Sequence, residues 1–95
     1  ERSKGVAFTN ICARWGLPTS EVAYIGDDWL DLPAMALAGL AATVPNGAAA
    51  VRQRAHWLSG VPGGSGAVRE LVEAILRVQG RLDELVQRYL AGNGA

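Results

Sequence analysis

Two short apolar runs, VAYI at 22–25 and LAATV at 40–44, are each too brief for a helix and flank DDWLDLPAMALAG, which reads as one. Strand, helix and strand in that order favour parallel pairing, because a crossover needs a dozen or more residues whereas an antiparallel return needs as few as two. Both runs are mainly apolar rather than alternating, as strands covered on both faces are. The flanks repeat the theme. Residues 4–15 carry Ala7, Phe8, Ile11, Cys12 and Trp15 on i, i+4 and i+8 rows, the apolar face of a helix that Gly16 and Pro18 stop. GAAAVRQRA reads as a short helix with Asn46 before it as a candidate cap, and HWLS reads as a third strand. The order helix, strand, helix, strand, helix, strand, helix predicts an α/β domain with a parallel sheet and flanking helices.

Residues 66–92 differ in pattern. Val68, Leu71, Ile75, Val78, Leu82, Leu85 and Tyr89 recur at alternating steps of three and four, a heptad stripe. Gly80 interrupts it at a cost of about 1 kcal/mol relative to Ala, so a bend or two helices is expected as readily as one long rod. The first half is expected to cover the sheet; the second, from Leu82 to Leu90, packs either on this chain or on another subunit. The closing GNGA reads as a frayed tail.

Composition narrows the partners. With 95 residues and 49% hydrophobic content, one modest core is possible and two are not. Nine basic residues balance nine acidic ones, and no stripe interleaves basic with aromatic residues, which argues against nucleic acid and anionic membrane as partners. No apolar run approaches the roughly 18 residues of a membrane span, and ERSKG leads into no signal-like stretch. Cys12 is alone on an apolar helix face, so it reads as a buried reduced thiol in a cytoplasmic protein. The chain opens without Met directly into a helix pattern, as a piece of something longer does.

Asp27, Asp28 and Asp31 crowd just after VAYI. In parallel α/β sheets ligands bind beyond the carboxyl ends of the strands, which is where this cluster falls. Like charges this close need an offset, and a hard divalent cation such as Mg²⁺, held by one or two carboxylates with substrate phosphate, supplies one. The alternative is that the aspartates simply cap the following helix and favour its positive end. Elsewhere, the glycines of PGGSG offer backbone N–H groups to an anion at a helix start. His56 has no partner at a useful spacing for catalysis, the tryptophans read as core with Trp29 alternatively at the site entrance, and Arg52 and Arg54 as a solvated face.

Standing as GDDWLD after VAYI, residues Gly26, Asp27, Asp28 and Asp31 resemble the fourth motif of the haloacid dehalogenase-like phosphatases. The similarity runs on through PGGSGAVRE and ILRVQGRLDEL and is to the C-terminal half of the 3-deoxy-D-manno-octulosonate 8-phosphate phosphatase branch. The resemblance implies a Rossmann-like three-layer sandwich of which residues 1–95 supply the C-terminal part. It implies that Asp27 binds Mg²⁺ directly, that Asp28 and Asp31 hold metal-bound water or orient a lysine, and that Lys4 is that lysine, contacting the phosphoryl group. Asn46, Gly64 and Arg69 fall at positions matched to substrate contacts, with capping still open for Asn46 and a structural role for Arg69. The branch usually has Arg where Ser65 stands.

The same resemblance implies a small phosphorylated sugar acid as substrate, in lipopolysaccharide synthesis, and a homotetramer whose C-terminal tails reach neighbouring sites. Its chemistry needs an Asp-x-Asp motif and the family's Ser or Thr phosphate-binding motif, neither of which stands before Lys4. These 95 residues alone are therefore expected to be inactive. A related domain at the C-terminus of acylneuraminate cytidylyltransferases supplies the other reading, a non-catalytic assembly module.

Overall fold

In the computed structural model, residues 4–92 are described; most of the GNGA tail lies outside them. Helix α1 (Lys4–Arg14) ends where Gly16 adopts φ +68°, with Leu17 N–H donating to Cys12 O (2.9 Å) and Gly16 N–H to Ala13 O (3.1 Å), a closed Schellman turn. Strand β1 (Ala23–Ile25), helix α2 (Leu32–Leu37), strand β2 (Leu40–Thr43), helix α3 (Ala49–Arg54) and strand β3 (Trp57–Leu58) follow. The three strands are parallel in the order β1-β2-β3, with Tyr24 opposite Ala41 and Ala42 opposite Trp57. Helices α4 (Ala67–Val78) and α5 (Leu82–Leu90) complete the chain.

Ala41 and Ala42 are neighbours on β2, so they face opposite sides of the sheet, and both are buried to within 1%. Both faces are therefore covered, as the apolar runs predict for this layered α/β class. On one side Phe8 and Cys12 of α1 meet Ala34 of α2 and Ala38 at its C-cap; beside them Met35, Ala41 and Val51 join α2, β2 and α3. Tyr24 packs against both clusters, its ring edge-on to Phe8 at 5.3 Å. Cys12 is buried and free, as expected.

The α1 face agrees with the expected one at Phe8 and Cys12 and departs from it at Ile11 and Trp15. Gly5, Phe8 and Cys12 are buried, whereas Ile11 and Trp15 are exposed. Contacts with small residues of α2 select this stripe, and positions 11 and 15 lie to one side of it. Trp29 is also no core residue, at 67% exposure. Gly80, at φ +72°, parts the heptad stripe into two helices, of which only α4 buries residues, Ala67 and Leu71. No described helix is long and apolar enough to cross a membrane. Strands β1 and β3 are the two sheet edges among the described residues, and the three residues of β1 are half-buried.

His56 joins β2 to β3. Its amide donates to Ala41 O (2.7 Å) and its ring Nδ1 accepts from the buried Ala41 N–H (2.9 Å). An imidazole accepting at Nδ1 is neutral and carries its proton on Nε2. His56→Ala is expected to lower stability by about 1–3 kcal/mol by orphaning that amide. His56→Asn, which restores an acceptor near the Nδ1 position, should recover most of the loss in a denaturant titration. Equal stability of the Ala variant and the parent would mean that water replaces the ring freely.

Candidate metal and phosphate site

Beyond the carboxyl ends of β1 and β2 the acidic cluster resolves into three carboxylates with different surroundings. Asp28 caps the 3-10 turn Trp29–Asp31, its side chain accepting from the Trp29 amide at 2.6 Å, and Asp31 completes a capping box by accepting from the Asp28 amide. The capping role open from the sequence is thus real for Asp28. Asp31 turns inward and is only 4% exposed. Its Oδ2 accepts from the Asp27 and Asp28 amides at 2.9 and 3.1 Å, and its Oδ1 from the Tyr24 hydroxyl at 2.7 Å and the Lys4 ammonium at 3.1 Å. Four donors fill the roughly four lone-pair sites of a carboxylate.

Gly26 makes room for this. A Cβ there would stand 2.5 Å from Asp31 Cβ and 2.8 Å from its Oδ2. The glycine before the acidic run is therefore required for the Asp31 side chain as well as for the turn.

Charge follows the hydrogen bonds. Burial pushes the Asp31 carboxyl up, but donation from Tyr24, the Asp28 amide, Lys4 and the Asp27 amide outweighs it and holds the group below its ordinary value. Lys4 is raised above the usual lysine value, first by its hydrogen bond to Asp31 and then by that carboxylate's charge. Burial, with the hydrogen bond to and charge of Asp31, pushes the Tyr24 hydroxyl up to about 12. At neutral pH the cluster is an ammonium, a phenol and a carboxylate, with the ammonium half-exposed.

Asp27 is the open carboxylate. It is exposed, its side chain accepts no hydrogen bond among the described residues, and its backbone oxygen is tied to the Ala48 amide at 2.9 Å. It lines a cleft of about 410 Å³ with Ile25, Val44, Gly63, Gly64 and Ala67. Gly64 takes φ +85° there, a conformation that suits glycine. Asn46 does not cap α3, whose N-cap is Ala48 without a side-chain bond; its Oδ1 instead accepts from Gly63 N–H at 2.9 Å and braces the glycine loop. Arg69 faces away from this cleft, into the groove between α4 and α5, and Glu70 bonds the Gly60 amide rather than Arg69.

Among the described residues no three His, Cys, Asp or Glu side chains cluster to enclose a metal. One unpartnered carboxylate still suits a magnesium ion, which takes hard oxygen donors and is commonly bound through one or two carboxylates with water and substrate phosphate. Lys4 and Asp27 are joined through Asp31, which touches both. Tyr24 escaped the sequence reading because it sits within an apolar run; the available signal was that a buried tyrosine hydroxyl needs a partner.

The family model for haloacid dehalogenase-like hydrolases matches residues 1–71. The 3-deoxy-D-manno-octulosonate 8-phosphate phosphatase of Escherichia coli K12 is 36% identical over 84 residues, which cover 88% of this chain and 45% of the relative. The crystal structure of the Yersinia pestis phosphatase of that name matches with a TM-score of 0.82 and 37% identity over 87% of this chain and 45% of that one. The Moraxella catarrhalis phosphatase, crystallised with magnesium, phosphate and KDO, matches with a TM-score of 0.85 and 37% identity over 92% of this chain and 50% of that one. The chain spans about half the length of these relatives.

Proposed function

The chain belongs to the haloacid dehalogenase-like hydrolases, and from that premise we propose that it is the C-terminal part of a magnesium-dependent phosphomonoesterase acting on 3-deoxy-D-manno-octulosonate 8-phosphate or a similar sugar-acid phosphate. The observation that carries this reading is the ion pair of Lys4 with the buried Asp31, set beside the open Asp27 at the carboxyl ends of the strands. Asp27 holds the metal, which when bound neutralises phosphoryl charge and polarises the P–O bonds. Lys4 binds a phosphoryl oxygen. Asp31 fixes the ammonium and, through the Asp27 and Asp28 amides, the loop that carries the ligand.

Gly64 presents backbone to the far side of the cleft, and Asn46 holds that loop in place through Gly63. Arg69 touches substrate only if oligomerisation brings the α4–α5 face of one subunit to another's site. The 95 residues contain no Asp-x-Asp, so the carboxylate that accepts the phosphoryl group belongs to sequence outside them. A homotetramer in the cytoplasm completes the reading, and the lone buried Cys12 agrees with a reducing compartment. The relatives named above are phosphatases, which favours the enzyme over an assembly module.

The test is phosphate release by the full-length protein from 3-deoxy-D-manno-octulosonate 8-phosphate, with and without Mg²⁺. Release that depends on the metal is expected, with Lys4→Met lowering kcat/KM by about a hundredfold, the scale of losing one charge-stabilising donor. Metal-independent release, or normal kinetics in Lys4→Met, would remove the reading.

A further inference from the structure

We infer that the Tyr24 hydroxyl is a positioning group for the Lys4 ammonium, acting through the carboxylate of Asp31; the inference rests on reading this cluster as the phosphate-binding site. Lys4 lies in the first turn of α1 on a long flexible stem, and its side chain is 46% exposed. The direction of Asp31 Oδ1 therefore decides where the ammonium stands. That oxygen is shared: Tyr24 donates to it at 2.7 Å and Lys4 at 3.1 Å. The other oxygen is taken by two backbone amides, so the carboxylate cannot rotate without breaking them.

Tyr24 itself has little freedom. Its strand is paired to β2, its ring lies edge-on to Phe8, and both core clusters touch it. A rigid, half-buried donor thus occupies the inner side of Oδ1 and leaves the outer side to the ammonium. Of the three ammonium protons one is used on Asp31, and the others are left for an anion at the rim. Without the hydroxyl, the inner side of Oδ1 is an unpaired acceptor in a buried place, and Lys4 is the mobile donor within reach. It would withdraw from the rim to fill the gap.

Tyr24→Phe keeps the ring and its packing, so the full-length variant retains its fold. With ¹⁵N-labelled lysine, the Lys4 ammonium resonance is expected to shift and its proton exchange with water to slow by about threefold or more, while affinity for inorganic phosphate in Mg²⁺ falls about three- to tenfold, the worth of one hydrogen bond. In a Lys4→Met background the same substitution should leave phosphate affinity unchanged, because no ammonium remains to be positioned. An unmoved Lys4 resonance, or an equal loss of affinity with and without Lys4, overturns the inference. A parent protein that binds no phosphate, with the Lys4 resonance still shifted by Tyr24→Phe, overturns the functional reading and with it the positioned ammonium's role at a phosphoryl group, while supporting the control of Lys4 by Tyr24.

Discussion

Asp27→Asn in the full-length protein is expected to reduce magnesium-dependent phosphate release by about a thousandfold or more, since losing a charged metal ligand forfeits several kcal/mol of transition-state stabilisation and each 1.4 kcal/mol is tenfold. The fold should not suffer. The Asp27 side chain is exposed with no described partner, while its backbone keeps its bonds to Asp31 and Ala48. Removing one of three neighbouring negative charges leaves stability within about 0.5 kcal/mol of the parent, as for most surface exchanges. The check is turnover across a magnesium titration beside a thermal melt. Unchanged turnover at saturating metal would put the magnesium on other residues. A collapsed melt would make Asp27 a structural residue.

Gly26→Ala is expected to act on stability and activity together. The new Cβ would overlap Asp31, which is buried and held by four donors and so has nowhere to go. If the carboxylate is expelled, the Asp27 and Asp28 amides, the Tyr24 hydroxyl and the Lys4 ammonium all lose their acceptor. Each buried donor left without its acceptor in this way costs about 1–3 kcal/mol. Denaturant unfolding should show that loss, and any protein that remains folded should hydrolyse substrate poorly, its lysine unanchored. A midpoint equal to the parent's would mean that the backbone shifts aside cheaply and that Asp31 is less tightly wedged than its contacts imply.

Much of this was legible in the residues. The order of elements followed from VAYI and LAATV, because strands covered on both faces have no reason to alternate. The acidic run was legible as a ligand end because strand, glycine and helix start fixed where it must lie. What could not be read was the division of labour inside the run. Sequence spacing does not tell which carboxylate points inward, and that is settled by the missing Cβ of Gly26 and the hydroxyl of Tyr24, one of them an absence and the other hidden in an apolar stretch. Asn46 misled for a related reason. Its place before a helix suggests a cap, yet its partner, the Gly63 amide, comes from a loop seventeen residues away. On α1 the apolar rows include Ile11 and Trp15, which stay exposed because the small residues of α2 favour close packing along the Gly5, Phe8 and Cys12 stripe.

Helix α5 buries none of its nine residues within this chain, and the left-handed Gly80 separates it from α4. It therefore shares little in the cooperativity of the rest: the free energy of opening α5 is local, close to that of a fraying terminus, while opening β1 disturbs both clusters, which Tyr24 joins. Local opening of this kind stops near Gly80, so substitution of the apolar residues of α5 should disturb α5 itself more than the packing around the sheet.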